Sequence, residues 1–144
     1  MADIYVDSCL IISLIEGKPS ERELLSKRLD EHCIYSSELA RLETRVLAIR
    51  KRNQASLQKF EQFFAVCQMV ELNRAVFDRA TAIRARSNLK TPDALYLAVA
   101  IQSGCEEFWT EDKRLVAVAG QPLKVMDWAA LEDLKTSTDS SSRE

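Results

Sequence analysis

Short runs of β-type residues alternate along this chain with longer stretches in which apolar residues return every three or four positions. "DIYV" at 3–6 is a strand-like run, and "CLIISLIEG" after it is an apolar helix closed by Gly17. Ser20 and Glu23 have capping-box spacing, which predicts a helix over roughly 21–32 with Leu24, Leu25 and Leu29 on one face. "CIYSS" is a second strand. From Glu38 to about Arg52 the intervals between Leu39, Leu42, Val46 and Ile49 are helical and define the stripe expected to face inward. "SLQKFEQFFAVCQ" is a further helix and "MVEL" a third strand. Asn73 can cap "RAVFDRATAIRAR", with Val76, Phe77, Ala80 and Ile83 expected inside. After a break at "SNLK", Thr91 is expected as the N-cap and Pro92 as the first residue of a helix reaching about Ser103 and ended by Gly104. "EEFWT", a short helix "DKRLVAVAG" closed by Gly120, and "LKVMDW" complete the series.

Strands alternating with helices predict an α/β fold, a three-layer α/β/α sandwich around a mainly parallel sheet. A length of 144 residues with 47% hydrophobic positions allows one domain with one substantial core, expected over 1–134. The polar, low-complexity "KTSTDSSSRE" at 135–144 is expected to be a disordered tail.

Composition narrows the chemistry. The 20 basic and 22 acidic residues nearly cancel, so any nucleic-acid contact must be local. No basic n-region opens the chain and no apolar run approaches the roughly 18 residues of a membrane span, which predicts a cytoplasmic protein. Cys9, Cys33, Cys67 and Cys105 are scattered among apolar neighbours without a C-x-x-C pair, as expected of buried, reduced thiols. His32 is the single histidine and sits at a predicted helix end, the place of a dipole partner, which weakens any mechanism built on a histidine base.

The acids carry more information. Ligands of parallel α/β sheets gather beyond the carboxyl ends of the strands. Asp7 directly follows the first strand, and Asp112 comes two residues after "EEFWT", so both fall at that edge. Asp93 sits in the first turn of an otherwise apolar helix, where free N–H groups favour an anion. Glu43 lies on the predicted inward stripe, where an unpaired carboxylate costs several kcal/mol. Each has an ordinary structural explanation: Asp112 could cap the helix after it, Asp93 could serve only its helix, and Glu43 could pair with Arg45 or Arg84. Four gathered carboxylates, however, repel one another unless hard cations lie between them, and an oxygen-rich set without histidine or thiolate suits Mg²⁺ or Mn²⁺. Paired ions about 3.5–4 Å apart support in-line displacement at phosphorus.

"IYVDSCLIISLI", "SSELARLETRVLAI", "KTPDALYLAVAIQSGCEEFWTEDKRL" and "LKVMDW" resemble, in order and spacing, the PIN-domain ribonucleases, particularly the VapC-type toxins of toxin–antitoxin pairs. The resemblance extends to about Trp128. It implies that Asp7, Glu43, Asp93 and Asp112 are the metal-binding catalytic acids, with Glu111 able to replace Asp112 and with Ser8 and Thr110 as supporting hydroxyls. It further implies a Mg²⁺- or Mn²⁺-dependent endoribonuclease that hydrolyses RNA, a cognate VapB-like antitoxin, and a homodimer. The antitoxin is expected along the early helices, where Leu10, Ile11, Ile12, Leu14, Ile15, Leu24 and Leu25 exceed what one sheet face needs. Arg45, Lys90, Lys113 and Arg114 are candidates for contacts to the RNA backbone. Two alternatives remain: a PIN-fold binding module without catalysis, and a Mg²⁺-binding phospho-receiver-type domain. The second is disfavoured because the third strand ends at Asn73 without an aspartate.

Overall fold

The computed structural model describes residues 1–119 and 123–133. Five strands form one parallel sheet: β1 (Asp3–Val6), β2 (Cys33–Ser37), β3 (Gln68–Val70), β4 (Glu107–Trp109) and β5 (Lys124–Met126), in spatial order β3-β2-β1-β4-β5. β1 is central, with Ile4 opposite both Ile34 and Glu107. The helices are α1 (Ser8–Glu16), α2 (Pro19–Leu29), α3 (Glu38–Arg50), α4 (Gln54–Ala65), α5 (Arg74–Ala85), α6 (Thr91–Gln102) and α7 (Arg114–Ala119), and residues 128–133 after β5 are helical as well. With the right-handed connections that parallel sheets require, the strand order places α1–α4 over one face of the sheet and returns the chain over the other. The packing divides accordingly, α1 against α2, α3 and α4, and α5 against α6. The expected α/β sandwich is therefore the observed fold. Its order reverses at β1, where the chain turns from β2 and β3 to β4 and β5. The tail expected at 135–144 and the cap expected at Gly120 lie outside the described residues.

α6 explains its own composition. Every residue from Ala94 to Ala100 is buried, because the helix is covered by α5 on one side and reaches the sheet on the other. Gly104, at φ +74°, ends it in the left-handed conformation that glycine adopts without penalty. Its start differs by one residue from expectation: Lys90 is the N-cap and Thr91 already helical, which leaves Asp93 in the first turn. α2 differs similarly. It begins at Pro19, whose fixed φ suits a first turn, and the Lys18 N–H donates to Glu21 Oε1 at 3.1 Å, so Ser20 and Glu23 do not form the capping box. Asn53 and Asn73 cap α4 and α5, accepting from the N–H groups of Ser56 and Val76.

The larger corrections concern which faces are buried. On α3 it is Ala40, Thr44 and Ala48 that face inward, while Leu42, Val46 and Ile49 are 55%, 40% and 57% exposed. Small residues let α3 approach its neighbours closely and turn its large apolar stripe to solvent. Phe77 of α5, expected inside, is also exposed, beside buried Val76 and Ala80. The surplus expected on α1 and α2 is absent, since Leu10, Ile11, Leu24 and Leu25 are buried and Ile12, Leu14 and Ile15 pack against the core. Among the cysteines Cys105 is buried, Cys33 and Cys67 are half-buried, and Cys9 is exposed, contrary to expectation; all four are free. No helix among the described residues is long and apolar enough to cross a membrane.

Candidate active site

β1, β2 and β4 end together, and the turns leaving them begin α1, α3 and the loop to α7. Asp7 is the first residue past β1. It is 6% exposed, fixed by its own N–H to the Trp109 carbonyl at 2.9 Å, and caps α1. Its two oxygens meet two hydroxyls: Thr110 Oγ1 donates to Oδ2 at 2.7 Å and Ser8 Oγ to Oδ1 at 3.3 Å. Thr110, fully buried, also accepts the Asp112 N–H at 3.0 Å, so one hydroxyl joins the loops after β1 and β4.

Glu43 projects from the second turn of α3. It is half-buried and has no arginine partner of the kind considered from the sequence; its Oε1 accepts from Ser8 Oγ at 3.3 Å and from the Tyr96 hydroxyl. Arg45 instead donates to the Arg41 carbonyl and pairs with Glu61, and Arg84 donates to the Leu89 carbonyl. Asp93, half-buried in the first turn of α6, feels the charges of Asp112 and Glu43.

The electrostatics record this crowding. Burial raises the pKa of Asp7, and the Asp93 charge adds to that rise against the Thr110 hydrogen bond. Burial likewise raises Asp93, reinforced by Asp112 and Glu43 and opposed by Arg114 and Lys90. Asp112 is lowered, because Arg114 grips both its oxygens, with Nη2 at 2.6 Å from Oδ2 and Nε at 3.0 Å from Oδ1. Asp112 Oδ1 also accepts the Arg114 N–H at 2.9 Å, so the capping role anticipated for it is present together with its place among the acids. The structure thus brings Asp7, Glu43, Asp93 and Asp112 to one edge of the sheet. Glu111 does not join them. Its Oε1 accepts from Ser13 Oγ at 2.9 Å and from Trp128 Nε1 at 3.3 Å.

His32 is spent elsewhere: its Nδ1 accepts the Ala2 N–H at 3.1 Å and its ring meets Trp109 edge-on. Cys9, in the first turn of α1, has a thiol pushed up to about 11 by burial and by the charges of Asp7, Glu111, Glu43 and Asp93, which makes it a poor nucleophile at neutral pH. Sequence reasoning missed Tyr96, although a tyrosine inside an aliphatic helix is a signal in itself, since a buried hydroxyl requires a partner.

The donors fit a hard divalent cation in kind, being carboxylate and hydroxyl oxygens without imidazole or thiolate, and their mutual repulsion is what such an ion would relieve. They are not drawn into a cage: among the described residues no three Asp, Glu, His or Cys side chains converge as a ready-made metal cluster. Asp112 is gripped on both oxygens by Arg114, so loading an ion there requires that guanidinium to give way, whereas Tyr96 and Ser8 reach only Oε1 of Glu43.

Residues 4–121 match the model of the PIN domain. The chain belongs to the PIN domain family. No curated protein sequence matches it. Among solved structures, PIN-domain similarity extends to a toxin–antitoxin complex from Klebsiella pneumoniae, with 22% identity, a TM-score of 0.66, and coverage of 83% of this chain and 94% of the other. The Sarcin-Ricin loop cleaving toxin VapC20 of Mycobacterium tuberculosis is 18% identical, with a TM-score of 0.65 and coverage of 83% and 99%. VapBC-1 from nontypeable Haemophilus influenzae is 14% identical, with a TM-score of 0.69 and coverage of 88% and 98%. At these identities the likeness establishes the PIN fold.

Proposed function

We propose that this PIN domain is a divalent-metal-dependent endoribonuclease acting as the toxin of a type II toxin–antitoxin pair. The observation that carries the reading is the meeting of Asp7, Glu43, Asp93 and Asp112 at one end of a parallel sheet, with Asp7 and Asp93 raised by burial and by neighbouring acids. Mg²⁺ or Mn²⁺ among these oxygens would lower the pKa of a water and stabilise charge on the scissile phosphate. The chain's own residues prepare that chemistry. Thr110 and Ser8 orient Asp7, the first turn of α6 favours the anionic form of Asp93, and Lys90 and Arg114 place positive charge beside Asp93, where a phosphodiester would approach. No side chain is required as a nucleophile.

The toxin role is supported by the toxin–antitoxin relatives and by surface left uncovered. A groove of about 700 Å³ runs beside α3 and β3, lined among others by Leu39, Leu42, Met69 and Leu72, and the exposed Val46, Leu47 and Ile49 continue the apolar face of α3. This is where a second copy would form a homodimer. A VapB-like antitoxin would occupy the acidic edge, where an arginine of its own could compete for Asp112 with Arg114. A PIN-fold binding module without catalysis is the alternative, favoured by the Arg114 grip on Asp112.

The test is cleavage of single-stranded RNA with Mg²⁺ or Mn²⁺ and with excess EDTA. Cleavage with metal and none with chelator is expected; chelator-resistant cleavage or none at all would sink the catalytic reading. Mg²⁺ should also raise the melting temperature of the parent more than that of Asp93→Asn.

A further inference from the structure

Glu43 is the one acid of the four delivered from the middle of a helix, with no turn or helix terminus of its own to aim it. Two hydroxyls reach its Oε1, and they are not equivalent. Ser8 Oγ lies 3.3 Å from Glu43 Oε1 and 3.3 Å from Asp7 Oδ1, so its single proton serves only one of the two carboxylates at a time. Tyr96 directs its single proton to Glu43, while its oxygen also bonds the Ser8 hydroxyl.

Tyr96 is built to hold still. Its side chain is 2% exposed, and its ring lies 5.8 Å from that of Tyr5, tilted by 50°. Tyr5 is stacked in turn on Phe108 at 5.8 Å. The Tyr5 hydroxyl bonds Ser37 Oγ at 2.7 Å, and Ser37 is the N-cap of α3, the helix that carries Glu43. The aromatic stack is therefore tied to the start of α3 and, through Tyr96, to its second turn. Tyr96 also follows Asp93 by three residues, on the same side of α6. One helix thus presents one acid and clamps another.

We infer that Tyr96 is a positioning residue that sets the orientation of Glu43 relative to Asp93, through its buried hydroxyl, for divalent-cation binding. The inference rests on the metal-dependent reading above. Groups that orient metal ligands typically contribute about 10–100-fold in affinity. Ser8 cannot substitute for Tyr96, because a proton given to Glu43 is withdrawn from Asp7.

The experiment measures Mn²⁺ binding to the full chain from the electron paramagnetic resonance signal of free Mn²⁺, for the parent, Tyr96→Phe, Glu43→Gln and the double variant. Thermal unfolding of each metal-free protein verifies the fold. Tyr96→Phe should weaken binding about tenfold or more, and adding it to Glu43→Gln should cause no further loss, because the tyrosine acts only through that carboxylate. RNA cleavage by Tyr96→Phe should recover towards the parent rate as Mn²⁺ is raised. Unchanged affinity in Tyr96→Phe, or equal losses in both backgrounds, would overturn the inference while leaving the nuclease reading standing. An Mn²⁺-binding parent with unaltered Glu43→Gln would also overturn it, since Glu43 would then not be a ligand. A parent that binds no Mn²⁺ overturns the inference and the metal-dependent reading together. If Tyr96→Phe unfolds, Tyr96→Leu removes the hydroxyl with an aliphatic side chain in its place, and parent-like Mn²⁺ affinity in that variant overturns the inference.

Discussion

α6 and α3 each carry one acid to the site, yet they treat their apolar residues in opposite ways. α6 buries seven consecutive residues, Ala94–Ala100, and its identity as a core helix follows from covering on every side. α3 buries Ala40, Thr44 and Ala48 and turns Leu42, Val46 and Ile49 to solvent. An apolar stripe therefore marks where a helix seeks contact, and the contact can be outside the chain. Inward position on α3 was decided by size: residues with little side chain allow the close approach to α1 and α4 that brings Glu43 within reach of Ser8 and Tyr96.

The largest expected effect lies with the acid on the rigid helix. Asp93→Asn should reduce metal-dependent RNA cleavage by more than the roughly hundredfold upper range for residues that merely support a metal ligand, with circular dichroism unchanged. Parent-like rates would remove Asp93 from the site. Asp7→Asn should behave alike.

Next comes the contrast between the helices themselves. Leu97, fully buried in α6, should cost about 2–5 kcal/mol of unfolding free energy when truncated to alanine. Leu42→Asp, on the exposed face of α3, should change the stability of the monomer by no more than about 0.5 kcal/mol while shifting light scattering from the proposed homodimer to the monomer. Equal losses in denaturant melts of the two variants would erase the distinction between the faces.

A smaller effect concerns pH. A carboxyl group with a higher pKa in the folded than in the unfolded chain stabilises the fold fully below its unfolded value, about 3.9, and that contribution is lost as pH rises through the folded value. Asp7 and Asp93 are raised and follow this rule. Asp112 is lowered, so its contribution is present above the unfolded value and lost as pH falls through the folded one. Between neutrality and about pH 4 the first effect operates and the second has yet to begin. The melting temperature of metal-free parent, relative to Asp93→Asn, should therefore rise on acidification through that window. A gap independent of pH would show that Asp93 is not strained by its neighbours.

Much of this architecture was legible beforehand. Strand runs and helical periods placed β1–β5 and α1–α7 to within a few residues, because burial on a parallel sheet enforces both patterns; the helical stretch at 128–133 was not anticipated. Asp7, Asp93 and Asp112 could be singled out because strand ends and helix starts are visible in sequence, and Glu43 because a carboxylate stood out on a helical stripe expected to be apolar. Contacts made by the far ends of side chains were not visible. The turn of Arg114 onto Asp112 and of Glu111 onto Ser13 and Trp128 depends on loop conformation, which periodicity does not encode. Phe77 and the outer stripe of α3 were misplaced for a different reason: hydrophobicity reports that a residue avoids water, without saying whether its own chain provides the cover.

Parallel strands also give the molecule a front and a back. The acids occupy one rim of the sheet, whereas Ala2, held by His32, and the fully accessible Met1 lie at the other, about 13 Å away along a four-residue strand. A tether or fluorophore attached at Met1 would leave the acidic rim unobstructed. Immobilised through that end, the protein would present its four carboxylates to the solution, so that RNA, cations and protein partners could be compared on one oriented surface.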